Sequence, residues 1–124
     1  MAYSYLPSVT SEDYDGKKVG NGQCVVFVQE CTGAPITSLW KKGKKVRGNS
    51  LINQGTAIAT FDEKGKYLNN STGNHAAIYV SQNATGIWVY DQWVAQGAVK
   101  KRFIRFKGGV GSHSNDGDAF SVIE

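Results

Sequence analysis

The side chains best suited to covalent catalysis in this 124-residue sequence are two cysteines, Cys24 and Cys31, and two histidines, His75 and His113. Thiol chemistry needs a thiolate, a base that generates it and a group that holds the base. Cys24 follows Asn21-Gly22-Gln23 and leads the apolar run Val25-Val26-Phe27-Val28. A helix over 22–31 would set its thiol in the first turn, where the helix dipole lowers a thiol pKa. His75 begins the strand pattern Ala76-Ala77-Ile78-Tyr79-Val80, from which its ring can point into a cleft at the end of a sheet. Hairpin geometry supplies the third group. With the turn near Asn83, paired residue numbers sum to about 166, so Asp91 faces His75 with Cβ atoms ~5 Å apart. There it would fix the ring tautomer and stabilise imidazolium. A slip of one residue would turn Asp91 away and substitute Tyr90 or Gln92, so Gln92 stands as the alternative orienting residue.

The other candidates carry less. A cysteine on an apolar helix is ordinarily a packing residue, and Cys31, deeper in the same helix, is read that way. Seven residues of helix separate the two sulfurs by about 10 Å along the axis, beyond the reach of a disulfide. No second Cys/His group offers a zinc site. Asn115-Asp116-Gly117-Asp118 has calcium-loop composition, yet aligning Gly117 with the loop glycine puts Ser112 and Ile123 at the first and last ligand positions, and the pattern fails. His113, in a glycine-rich tail, reads as solvated. No metal or cofactor is expected.

These groups need elements to position them. The length fits a single domain, residues 1–124, with an irregular lead-in over 1–18, a core over 19–106 and a tail over 107–124 that is flexible or adds an edge strand. The helix over 22–31 is apolar almost all round, which implies burial, and Gly33 suits the left-handed position after its end. Residues 35–47 read as a loop or short helix. Strands are expected over 56–61, 75–80, 87–93 and 99–106, with a turn at 62–66 and a polar stretch over 69–74. A helix followed by sequential strands is an α+β arrangement on a largely antiparallel sheet.

Composition excludes some classes. No stretch approaches the ~20 apolar residues of a membrane-spanning helix, and Met1 to Val9 lacks the basic and apolar regions of a secretory signal. The net charge of +4 is gathered in two clusters, Lys41, Lys42, Lys44, Lys45 and Arg47, and Lys100, Lys101, Arg102, Arg105 and Lys107. By charge alone such patches attract nucleic acid, anionic lipid or cell-wall polymer, or are simply solvated faces.

Gly22-Gln23-Cys24 with its apolar helix, a strand ending near Phe61, Gly73-Asn74-His75-Ala76-Ala77-Ile78-Tyr79-Val80 and a strand bearing an acidic residue together resemble the papain-like NlpC/P60 and CHAP superfamily of cysteine hydrolases. The resemblance covers roughly 19–106, and within the superfamily the chain is most similar to type VI secretion amidase effectors. It implies the papain-like fold and a peptidoglycan amidase or endopeptidase without cofactor. Cys24 matches the nucleophile, His75 the base and Asp91 the orienting residue, and Gln23 before the cysteine shapes the oxyanion site. Asn74 departs from the motif, which has glycine before the histidine. Trp93 and Tyr79, with Lys41 and Lys42, are the residues expected to line a substrate groove.

The partners implied are a peptidoglycan peptide and a cognate immunity protein, with neither nucleic acid nor membrane insertion, and a monomer when free. The expected route is synthesis in the cytoplasm and delivery to a target bacterium's periplasm. Two alternatives stand beside this. One is a deamidase or acyltransferase toxin using the same triad, and the other a non-catalytic module that binds cell wall through its basic clusters.

Overall fold

A computed structural model describes residues 2–68, 70 and 73–124; residues 69, 71 and 72 of the polar stretch before His75 lie outside them. The helix, α1, spans Cys24–Thr32. Gly33 caps it in the left-handed region at φ 70°, its N–H donating to the Gln29 carbonyl, as the sequence predicts. Six strands follow: β1 Lys42–Lys45, β2 Ala57–Thr60, β3 Ala76–Gln82, β4 Gly86–Asp91, β5 Lys100–Arg105 and β6 Phe120–Ile123. They form one sheet in the order β1-β6-β2-β3-β4-β5, with every neighbouring pair antiparallel.

The strand alternation divides the core between the two faces of the sheet. Ala57, Ala59, Ala76, Ile78 and Tyr90 point to the face covered by Phe27, Val28 and Cys31 of α1. Ile58, Ala77, Ile87, Val89, Ile104 and Phe120 fill the other. Both faces are therefore dry, and α1 is held against the centre of the sheet rather than against its rim.

Two expectations are corrected. The basic stretch expected as a loop or short helix contains β1, an exposed edge strand. Its lysines suit an edge, where charge discourages pairing with other chains. The segment expected at most as an edge strand is β6, which lies between β1 and β2. All four β6 residues are buried, and burial on both sides explains a run with no polar alternation. Residues ahead of it are pinned rather than loose: buried Asp116 accepts hydrogen bonds from the backbone N–H of Lys107, Gly109 and Asp118 at 2.7–2.9 Å. Those bonds hold its carboxyl below the usual range against the opposing effect of burial. Asp118 receives Arg47 Nη1 at 2.9 Å. These carboxylates, whose spacing evokes a calcium loop, serve as loop staples.

Candidate active site

Cys24 opens α1 at the floor of a cleft of about 850 Å³. The chain reaches this point through a tight turn in which Gly22 adopts φ 87° and its N–H donates to the Val19 carbonyl at 3.0 Å. Gln23 is the N-cap, extended at φ −75° and ψ 145°, with no side-chain cap. Its exposed side chain lines the cleft.

Gln92, fully buried, fixes this approach. Its amide oxygen accepts from Val19 N–H at 3.0 Å, and its nitrogen donates to the carbonyls of Val19 at 2.8 Å and Gln23 at 2.9 Å. It therefore clamps the segment before the cysteine, and the structure does not bring it to His75 as the alternative orienting residue.

His75 sits one residue before β3, its backbone tied to Thr60 of β2 by two 3.0 Å bonds, His75 N–H to Thr60 Oγ1 and Thr60 N–H to the His75 carbonyl. The ring is 5% exposed and shares the cleft with Cys24. Its Nε2 lies 2.7 Å from Asp91 Oδ2, which leaves Nδ1 as the ring nitrogen available to the thiol. The β3–β4 register differs from the expected one. Ile78 pairs with Tyr90, and the register shifts between Tyr79 and Ser81. The turn lies further along the chain than expected and a one-residue bulge follows it, so the pairing beside Asp91 is displaced by two residues in all and Asp91 lies diagonal to His75 instead of opposite. Because the shift is even, both side chains stay on one face, and a diagonal neighbour is still within reach of a long side chain.

Arg102 of β5 completes the row. Its Nε and Nη2 donate to Asp91 Oδ2 at 2.9 and 2.6 Å, and Nε also reaches Oδ1 at 3.1 Å. Its guanidinium lies 4.7 Å from the ring centre of Trp93, and Trp93 meets His75 edge-on at 6.0 Å. The sequence places Arg102 in a basic cluster read as a solvated or polyanion-binding face, which hides this role. Only the alternation of β5 relative to β4 could have singled it out, and that needs the register.

Tyr67 also escapes the sequence reading. Its hydroxyl is 3.8 Å from Cys24 Sγ and accepts from Asn74 Nδ2 at 3.3 Å. Asn74, the residue that departs from the family motif, thus positions a hydroxyl beside the sulfur.

The electrostatics follow from these contacts. Burial pushes the Cys24 thiol up, but the His75 ring, the Ala76 backbone N–H and the Tyr67 hydroxyl outweigh it, and the thiol is held below its ordinary value. For His75, burial lowers the pKa, while Asp91 and Cys24 together raise it to about 9. Burial raises Asp91, and His75 and Arg102 bring it below the usual carboxylate range. At neutral pH His75 is therefore an imidazolium backed by an ionised carboxylate, and the Cys24 thiol beside it is shifted toward thiolate. Cys31 differs: burial, with Glu30 nearby, pushes it up to about 12, and it lies at 0% exposure in the core.

Of the residues expected to line a groove, Trp93 lines the cleft with Val94 and Ala95 facing Val25 and Val26. The others do not. Tyr79 is buried on the opposite face of the sheet, among Ile58 and Ile87, because its parity in β3 turns it away from α1. Lys42 borders a separate hollow beside Phe61 and Leu68, and Lys41 precedes β1, its backbone paired with Glu124. Among the described residues that line the cleft, none is Lys, Arg, Asp or Glu. No group of three or more potential metal ligands occurs among the described residues, and no helix there is long and apolar enough to cross a membrane.

A cysteine at a helix start, a buried histidine on an antiparallel sheet and a carboxylate behind it define a papain-like α+β architecture of the type found in amidase effectors. The chain belongs to the domesticated amidase effector 2 family, whose model matches residues 2–123. It is 40% identical to a type VI secretion amidase effector 2 protein of Salmonella typhi, over the whole of both chains. It is 42% identical to domesticated amidase effector 2 of Ixodes scapularis, over 86% of this chain and 73% of that one. Among solved structures, type 6 secretion amidase effector 2 superposes with a TM-score of 0.81 at 39% identity, covering 96% of this chain and 95% of the other.

Proposed function

We propose that the chain is a cysteine amidase that hydrolyses amide bonds in the peptide stems of bacterial cell wall, acting as an antibacterial effector delivered into target cells. The observation that carries this reading is the hydrogen-bonded row behind the thiol, in which Asp91 holds Nε2 of His75 at 2.7 Å in the same cleft as Cys24. The relatives named as amidase effectors supply the reaction class.

In the reaction, the Cys24 thiolate attacks an amide carbonyl to form a tetrahedral intermediate. The Cys24 backbone N–H, at a helix start with no intrahelical acceptor, stabilises the oxyanion, with the Gln23 amide beside it. Imidazolium at His75 then donates its Nδ1 proton to the leaving amine, and the C–N bond breaks to leave a thioester. Neutral His75 next takes a proton from water as the water attacks the thioester, which frees the carboxylic acid and restores the thiolate. Asp91 stabilises imidazolium without becoming protonated. The uncharged cleft walls suit a peptide backbone. The anionic groups of a stem peptide would remain outside, toward solvent.

The test is digestion of purified muropeptides followed by mass spectrometry. Wild type should cleave a stem amide, and Cys24→Ala should leave it intact. Cleavage by the alanine variant would remove the thiol mechanism. Release of ammonia from a side-chain amide without stem cleavage would instead identify a deamidase. Salt-sensitive binding to sacculi that survives loss of Cys24 and His75 and frees no fragments would identify a binding module.

A further inference from the structure

Four ionisable side chains on four elements meet behind the cleft: Cys24 at the start of α1, His75 before β3, Asp91 at the end of β4 and Arg102 in β5. Asp91 is fully buried and His75 nearly so. With a thiolate and an imidazolium present, the charges are −1, +1, −1 and +1, and they cancel.

We propose that Arg102 is a positioning residue of this site, which both aims the Asp91 carboxylate and supplies the charge that makes the buried cluster neutral. The inference rests on the thiolate reading above but adds a requirement to it. A Cys–His–Asp row alone in its ionised form carries a net charge of −1. A buried site with that charge takes up a proton readily, and the thiolate is the group that would accept it, because Asp91 is held by His75. Arg102 prevents this. Its planar fork gives two directed donors to one carboxylate, which a lysine cannot reproduce. Its stacking on Trp93, which also touches the His75 ring, fixes the guanidinium without exposing it to the cleft floor.

Among the described residues, His75 and Arg102 are the charged side chains that contact the Asp91 carboxylate. From α1 only Cys24 faces the cluster, since Glu30 acts on Cys31 instead. The loop before β3 offers Tyr67, a neutral hydroxyl. Lys100 pairs with Asp91 in the β4–β5 register but is exposed. From the loop before β6, the residues that border Arg102 are the uncharged Ser112, Ser114 and Asn115.

The readout is the thiol itself, so substrate is not needed. The rate of Cys24 alkylation by iodoacetamide, followed against pH, gives the midpoint of thiolate formation. A unit charge within roughly 10 Å, in an interior of effective dielectric about 20, moves such a midpoint by about one pH unit. Arg102→Gln should therefore titrate about one unit higher than wild type, with about tenfold less thiolate at a pH below both midpoints. Arg102→Lys should stay within a few tenths of wild type in this titration, yet lose turnover on muropeptides because the fork is gone.

Identical thiol midpoints in all three proteins would overturn the proposal, even if activity or melting temperature fell, since a purely structural residue would behave so. Independently of any neutral variant, the Arg102 Nε–H resonance of the wild-type protein, assigned by its loss in Arg102→Lys, should inflect at the thiol midpoint. A flat trace there would also overturn it. Failure of the amidase reading would look different: Cys24→Ala would keep muropeptide cleavage while the Arg102 dependence of the thiol titration persisted.

Discussion

One oxygen of Asp91, Oδ2, takes both of its short bonds, to His75 Nε2 at 2.7 Å and to Arg102 Nη2 at 2.6 Å. The carboxylate is thus a hinge pin between β3 and β5 as well as a partner of the histidine. Asp91→Ala should lower kcat/KM on a defined muropeptide by about 10²-fold or more, the scale of a mispositioned acid–base group. It should also cost about 3–5 kcal/mol in denaturant unfolding, because it leaves buried cations unpaired. Asp91→Asn, which keeps the shape, should lose activity with a smaller loss of stability.

The pH dependence of stability has an unusual shape. His75, raised from 6.5 to about 9, contributes stability that is complete below pH 6.5 and is lost as pH rises through about 9. Cys24 runs the other way: its folded pKa is lowered from 9.0, so its contribution is complete above 9.0 and is lost as pH falls through the lower folded value. Between 6.5 and 9 the His75 contribution falls as pH rises while the Cys24 contribution grows, so the two oppose each other. Melting temperature should therefore be nearly flat over this window in wild type. In Cys24→Ala the compensating limb is gone, and melting temperature should fall as pH rises.

The same values set an alkaline limit on the reaction. Acylation requires imidazolium, so kcat/KM should decline as pH rises through about 9, the value to which Asp91 and Cys24 raise His75 against its burial. Stopped assays across roughly pH 6 to 10 would show this limb. It should move to lower pH in Asp91→Asn.

Cys24 and Cys31 should differ sharply in reactivity. Cys24 lines the cleft with its thiol held below the ordinary value, whereas Cys31 is fully buried and pushed up to about 12. Intact-mass analysis after mild alkylation of the native protein should find one modification, on Cys24. A second should appear only on unfolding.

Gln92 should behave as a structural clamp with a catalytic signature. Gln92→Leu fills similar space but strands three backbone groups on Val19 and Gln23, at a cost of about 2–4 kcal/mol. It should lower kcat more than it raises KM, because the loosened segment carries Cys24 and its N–H rather than the cleft walls.

Much of the fold was legible because local signals and tertiary burial agree. The apolar run after Cys24, the glycine at 33 and the turn at Asn83 each specify their element without help from distant residues. β1 was not legible. Its lysines carry no strand signal, and it becomes a strand only by pairing with β6, where Lys42 lies opposite Ile123, some 80 residues later. The site divides in the same way. Cys24 and His75 stand out through their local context, and the face shared by His75 and Asp91 survived a register error of two. The bulge that makes that displacement even has no marker in Tyr79-Val80-Ser81. Arg102, Tyr67 and Gln92 depend on contacts between elements, and nothing in their neighbours distinguishes them from a basic patch, a loop tyrosine and a strand-end amide.

The position of β6 bears on when the site can exist. Phe120 of β6 stacks edge-on to the His75 ring at 6.4 Å, and β6 joins β1 to the rest of the sheet. During synthesis from the N-terminus, the cysteine, histidine, aspartate and arginine all emerge before the strand that wedges the histidine from behind. A ribosome-bound chain lacking residues 120–123 has an open gap beside β2 and lacks the ring that packs edge-on against His75. The packing around His75 is thereby completed only when the sheet is closed.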